Sequence, residues 1–379
     1  MKKFVTSFLA LLMIATCLAG CGGQPNSPAN KDNPPDDSTD SPGVPETSWP
    51  EKDIEIDVCY SAGGTADTAA RSLGAIMGEY LGVNVNVVNV TGGSGAIAGQ
   101  QVAGAKHDGY TWLGDVAHTA SGWRVMEYAD MSWEDWYGFY GATAPYVLFV
   151  AGNSQYTTYQ ELFDAMKANP GIKWGNAGFG SINQLTGQLM LDIVGLTGDT
   201  VPYNGGREAA VKVIAGEVVW SWCGVSDIMD LAVSGDVKIL GVCDSNPLPV
   251  DCASGAYDAP SMLVDYPELA TLEGLLFWGV RVPRDTPADA VARIKEAFDY
   301  AVTTEEFAAY CEANSLTPSP TSGPESDEMC ARLESIYAWG LYDQELAAEG
   351  VSPEDFGIPR IDAFQYPTND RIAAINPWP

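Results

Sequence analysis

The sequence predicts an α/β protein of about two domains, and three observations predict it. The chain has 379 residues, 46% hydrophobic and 18% charged, a globular composition long enough for two cores. Segments with strand alternation and segments with helical spacing follow one another along it. Glycine-rich turns stand at four of the strand-to-helix junctions. The 50 Asp+Glu against 19 Lys+Arg give a formal charge of -31, the opposite of the basic footprint that a phosphate backbone needs, which argues against nucleic acid as a partner. An anionic ligand would have to be held by local donors.

The first residues set the compartment. Lys2 and Lys3, an apolar run from Phe4 to Leu18 and the small pair Ala19-Gly20 make residues 1–20 a signal peptide, too short for a spanning helix. Leu18-Ala19-Gly20-Cys21 looks like a bacterial lipobox, so the mature chain would begin at a lipidated Cys21, anchored to the cell membrane from outside without spanning it. The competing reading is an ordinary cleaved signal with a free Cys21 thiol. Residues 21–49 are Pro, Ser, Asn, Gly and Asp with almost no large apolar residue, and read as a solvated tether.

The folded body opens with a strand, Ile54 to Tyr60, then the turn Ser61-Ala62-Gly63-Gly64-Thr65-Ala66-Asp67 and a helix from Ala69 to Leu81. The arrangement recurs three times. Val85 to Val90 leads through Thr91-Gly92-Gly93-Ser94-Gly95 to a helix from Ala96 to Ala105. Lys173 to Ala177 leads through Gly178-Phe179-Gly180-Ser181 to a helix from Ile182 to Leu191. Thr200 to Tyr203 leads through Asn204-Gly205-Gly206 to a helix from Arg207 to Ile214. Tyr110 to Leu113, Tyr146 to Val150 and Val237 to Val242 read as further strands, and Tyr159 to Ala168, Ala288 to Ala301 and Ser326 to Leu346 as further helices.

Glycine lets a ligand approach the backbone, and the unpaired N–H groups of a helix's first turn bind anions without Lys or Arg. One helix start contributes only about 0.3 to 1 kcal/mol to an exposed anion. A micromolar ligand, near -8 kcal/mol, therefore needs several donors converging. Any one of these turns could be purely structural; four in one chain favour a carboxylate or phosphate site.

Catalysis finds no support in the residues. The two histidines, His107 and His118, have no Ser or Cys partner in an elbow motif, and Gly92-Gly93-Ser94-Gly95 lacks the lysine of a P-loop. Asp67 reads as a helix-entry carboxylate accepting backbone N–H bonds, with pairing to a basic ligand as the open alternative. No CxxC or Cys/His cluster has zinc spacing, so neither a metal nor a cofactor is expected. Cys59 and Cys223 read as buried thiols, while Cys243 with Cys252 and Cys311 with Cys330 are open as local disulfides in an exported chain. Trp220 and Trp222 fall on one face of a strand and read as core.

In order and spacing, these segments resemble the extracytoplasmic solute receptors of tripartite tricarboxylate transporters, the Bug family. The resemblance is carried by Tyr60 to Asp67 with Arg71, Asn89 to Gly99, Ala105 to Thr111, Gly175 to Gln184 and Val201 to Gly206, and spans about residues 54 to 350. It implies a two-lobed fold of the type II periplasmic-binding-protein kind, with a central cleft that closes by hinge motion. Lobe one would combine residues 50–145 with 278–379, and lobe two would hold 146–277, with crossings near Tyr140 to Phe149 and Leu275 to Val282. It further implies a receptor that captures a small carboxylate, of the di- or tricarboxylate class, for delivery to a membrane permease. Ligand contacts carried over are Tyr60, Ser61, Ala62, Gly63, Gly64, Thr65, Asp67, Thr91, Gly92, Gly93, Ser94, Gly95 and Ala96 in lobe one. Gly178, Gly180, Ser181, Tyr203, Gly205, Gly206 and Arg207 would face them. The amides of Gly63, Gly64 and Thr65 and the Thr65 hydroxyl are the expected donors. Two positions depart from the family pattern: Cys223 stands where an acidic residue is usual, and Arg207 is a charge many members lack. A sensory receptor or a surface interaction protein on the same fold is the alternative.

Overall fold

The computed structural model describes residues 48–366 and 378–379. The signal peptide, Cys21 and the tether up to residue 47 lie outside the described residues. The chain runs from β1 (Ile54–Val58) through α1 (Thr65–Leu81), β2 (Val85–Asn89), α2 (Ala96–Gly104) and β3 (Thr111–Val116) to β4 (Trp136–Thr143). Ala144 and Pro145 lead to β5 (Tyr146–Ala151), α3 (Tyr159–Ala168), β6 (Trp174–Asn176), α4 (Ile182–Ile193), β7 (Thr200–Pro202) and α5 (Gly206–Ile214). Then come β8 (Trp220–Gly224), α6 (Met229–Ser234), β9 (Val237–Cys243) and the hairpin of β10 (Leu248–Val250) and β11 (Tyr257–Ala259). The chain closes with β12 (Phe277–Pro283), α7 (Ala288–Ala301), α8 (Glu305–Ala313), β13 (Thr317–Thr321) and α9 (Pro324–Asp343).

These strands make two mixed sheets. The first has the order β13-β4-β12-β3-β1-β2 and the second β7-β6-β8-β5-β9. β1 is parallel to β2 and β3, and β6 to β7 and β8, as strand–helix–strand crossovers require. β4 ends the first run in the first sheet, β5 opens the second, and β12 returns antiparallel between β3 and β4. This is the α/β class that the alternation predicts.

Local chemistry explains the element ends. α1 begins at Thr65, four residues before the expected Ala69, because extended Gly64 precedes it and Asp67 in its first turn accepts the Gly63 amide at 2.9 Å. It stops at Gly82, whose φ of 74° is left-handed. α9 starts on Pro324, a residue preset for the first helical position, and ends at Asp343 rather than Leu346. Trp220 and Trp222 are wholly buried, stacked on Trp174 and Tyr146 at 5.0 and 5.4 Å between ring centroids, as the core reading expects.

One open question closes and one expectation changes. Cys59, Cys223, Cys243, Cys252, Cys311 and Cys330 are all free and buried, so neither local disulfide is formed. Cys252 instead meets the Ser254 hydroxyl at 3.2 Å, and Cys330 donates to the Tyr140 hydroxyl at 3.6 Å. Trp49, expected in the tether, belongs to the folded body: its indole donates to the Asp108 carbonyl at 3.0 Å and packs on Tyr110. Near the other end, Trp378 packs edge-on to Tyr137 and Phe139 and donates to Asp327 at 3.0 Å.

Candidate ligand-binding cleft

The turns that follow β1, β2 and β3 in the first sheet meet those that follow β6, β7 and β8 in the second, the position where open α/β sheets bind ligands. The two sets of turns touch directly. The Ser61 amide donates to the Asn204 carbonyl at 3.0 Å. The Thr65 amide and hydroxyl donate to Asp227 Oδ1 at 2.7 and 2.8 Å, and the Thr65 and Ser226 hydroxyls share a bond of 2.7 Å. Farther along, the Ser94 hydroxyl donates to the Phe179 carbonyl at 2.6 Å and Tyr128 to the same carbonyl at 3.3 Å, while the Tyr337 hydroxyl donates to the Gly180 carbonyl. The cleft is closed.

Two cavities lined by described residues lie in it, with Tyr60 in the wall of both. The outer one, about 310 Å³, is lined by Tyr60, Gly92, Gly93, Ser94, Gly95, Gly178 and Tyr203 among the expected residues, together with Cys59, Tyr128, Phe179 and Glu208. The inner one, about 30 Å³, is lined by Tyr60, Ser61, Gly64, Thr65, Gly205 and Gly206, together with His118, Asn183, Asp227 and Trp278. Ala62, Gly63, Asp67, Thr91, Ala96, Gly180, Ser181 and Arg207 are in neither lining.

The donors are not those expected. The Gly63 amide is taken by Asp67, the Gly64 amide by the Ser61 carbonyl at 3.3 Å, and both Thr65 donors by Asp227. Gly178 and Gly180 donate to the side chains of Asn176 and Gln184 at 2.8 and 2.7 Å, and Ser181 Oγ caps α4 by accepting from the Gln184 amide. Arg207, expected as a ligand cation, turns to Asp230, with Nη2 at 2.8 Å from Oδ2, and reaches the Asp227 carbonyl at 3.3 Å. The amides of Gly93 and Ser94 in the second turn donate to no described residue, and neither do those of Gly205 and Gly206 in the fourth. In the second turn Gly92, Gly93, Ser94 and Gly95 all have positive φ, a backbone path that glycine makes accessible.

Supporting residues fix this geometry. Asp67 accepts from Gly63, from Arg71 Nε at 3.0 Å and from Asn89 Nδ2 at 3.0 Å, while Asn89 also donates to the Tyr60 carbonyl at 3.1 Å. Burial raises the Asp67 pKa, but the Arg71 guanidinium, the Gly63 amide and Asn89 prevail and hold it below the usual carboxylate range. That agrees with its reading as a helix-entry acceptor. Below the inner cavity, Arg281 donates to Asp115 and to the carbonyls of Val116 and Ala117. Burial and the Arg281 charge push the His118 ring down to about 3, so it is neutral.

Sequence reasoning missed His118, Asn183, Ser226, Asp227, Tyr128 and Phe179. His118 carried a signal, since it follows β3 as the other turns follow their strands. Asp227 carried none.

A family model described as tripartite tricarboxylate transporter family receptor matches residues 69–330. A UPF0065 protein from the tcbD-tcbE intergenic region of Pseudomonas sp. (strain P51) is 28% identical over 270 residues, 68% of this chain and 76% of that protein. Among solved structures, the periplasmic binding protein BugD superposes with a TM-score of 0.67 at 22% identity, over 80% of this chain and 99% of that one. MatC from Rhodopseudomonas palustris, solved with bound malate, superposes with a TM-score of 0.63 at 19% identity, over 78% and 99%. The two-sheet fold is thus that of periplasmic binding proteins, and the chain belongs to the tripartite tricarboxylate transporter receptor family.

Proposed function

We propose that the protein is a lipid-anchored solute receptor that captures a small carboxylate between two closing lobes and presents it to the permease of a tripartite tricarboxylate transporter. The lobes are residues 50–145 with 278–379 and residues 146–277. The observation that carries the reading is the outer cavity, whose lining brings Gly93 and Ser94, with amides that donate to no described residue, together with Gly178 and Tyr203 of the other set of turns. Such amides suit a carboxylate, and the relative MatC was solved with malate.

The test is thermal unfolding of the Cys21→Ser chain beginning at residue 21, against mono-, di- and tricarboxylates, amino acids and sugars. A bound solute at a hundred times its Kd stabilises by about 2.7 kcal/mol. Stabilisation by carboxylates supports the reading; silence towards every carboxylate sinks it. Anchoring is tested separately: wild type should sediment with membranes and take up labelled palmitate, and Cys21→Ala should do neither.

A further inference from the structure

We propose that Asp227 sets the solute class by acting as a built-in carboxylate at the inner end of the cleft. The receptor then takes monocarboxylates whose other end is a hydrogen-bond donor, hydroxyl or ammonium, and rejects a second carboxylate there. This rests on the reading of the cleft as a carboxylate receptor.

Asp227 already fills the anion position. Its Oδ1 takes the amide and hydroxyl of Thr65 at the start of α1, and Oδ2 lies 2.3 Å from where a β-carbon on Gly206, first residue of α5, would stand. Oδ2 accepts no hydrogen bond from a described residue, and the side chain is only partly covered. Beside it in the same lining, His118 is 1% exposed, and neither ring nitrogen makes a hydrogen bond, although the Leu275 carbonyl lies next to the ring. The Ser61 hydroxyl, also in that wall, is buried without a partner. These are acceptors and donors left waiting for a polar group.

Size and charge choose the group. The inner cavity, about 30 Å³, holds a hydroxyl or an ammonium, roughly the room of one or two waters. Neither cavity is lined by any Lys or Arg. Asp227 stands in the inner wall, with Arg207 drawn off to Asp230 and reaching only the Asp227 carbonyl, while Glu208 in the outer wall is taken up by the amide and side chain of Asn204. A second carboxylate within hydrogen-bonding reach of Asp227 would lose affinity by on the order of a thousandfold. The solute's single carboxylate goes to the outer cavity and the open amides of Gly93 and Ser94.

The experiment is calorimetric titration of wild type, Asp227→Asn and Asp227→Ser with solutes of matched length. They are succinate against 4-hydroxybutyrate and 4-aminobutyrate, and adipate against 6-hydroxyhexanoate and 6-aminohexanoate. Wild type should prefer a hydroxy or amino acid over the diacid of its length at least a hundredfold. Both variants should erase most of that preference by gaining affinity for the diacid, and an ammonium donor should lose more affinity than a hydroxyl. A wild type that binds diacids as tightly as their donor-ended partners, or variants that leave the ratio unchanged, overturns the inference and leaves the receptor standing. Failure of all three proteins to bind any of these acids or the wider carboxylate panel removes the receptor reading, and this inference with it.

Discussion

The Arg281 guanidinium, 1% exposed, lies 2.9 Å from the Asp115 carboxylate and reaches past it to the carbonyls of Val116 and Ala117, directly behind the turn that carries His118. One buried cation thus ties β12 to the end of β3. Removing it strands a buried carboxylate, which costs about 3 to 5 kcal/mol. Arg281→Met should lose that much in urea unfolding. Arg281→Lys should recover little, since an ammonium cannot serve the carboxylate and two carbonyls in one planar fork. A loss below about 1 kcal/mol for Arg281→Met would show that the pair carries no such weight.

Closure of the cleft depends on the absence of a side chain at position 206. A β-carbon there would stand 2.3 Å from Asp227 Oδ2 and 2.9 Å from Cys223 Cβ. Gly206→Ala should therefore push the Asp227 carboxylate, in the same lobe, off the amide and hydroxyl of Thr65 and weaken the tie between the two sets of turns. Solute affinity should fall at least tenfold, while the empty protein loses only the 1 to 3 kcal/mol or so of an overpacked site. Calorimetry and small-angle scattering read the two effects; full affinity with an unchanged radius of gyration would refute the closure geometry.

His118 gives stability a pH dependence of definite sign. Unfolded, the ring titrates near its ordinary 6.5; folded, burial and Arg281 push it to about 3. Between these values the unfolded chain holds a proton that the native chain does not, so stability falls as pH falls, by about 1.4 kcal/mol per pH unit. Unfolding free energies of wild type and His118→Gln between pH 4 and 6 should diverge with that slope, wild type being the steeper. Parallel curves would mean that the native ring protonates normally.

The thiols supply a chemical count. Since the six described cysteines are free and buried, the Cys21→Ser protein should show almost no reaction with a disulfide reagent when native. It should show six thiols after denaturation without reductant. Cys252, at 9% exposure the most accessible, should react first. Two or four thiols would mean that a local bridge forms after all.

Much of the fold was legible because its signals are local. β1 reads as a strand from Ile54, Ile56 and Val58, and α3 from Tyr159, Leu162, Phe163 and Met166, without reference to anything distant. The glycine turns were equally visible, and twelve of the expected residues do line the cavities, Tyr60 and Gly206 among them. What could not be read is which donor meets which acceptor. Thr65 is bonded by a residue 162 positions away, and Arg207 is claimed by Asp230 across the turn after β8. Spacing along a chain carries charge and periodicity, but a contact of that range is fixed only when two sheets pack. The donors of the first turn were therefore expected to be open and were instead satisfied.

The tryptophan pair in the second sheet separates folding from binding optically. Trp174 and Trp220 stack 12° from parallel, close enough for their excited states to couple, and neither lines a cavity of the cleft, so a circular dichroism couplet from them should track the integrity of that sheet. Trp278 stands in the inner wall and Trp123 donates to the Ser94 carbonyl at 3.2 Å, so their emission changes with occupancy.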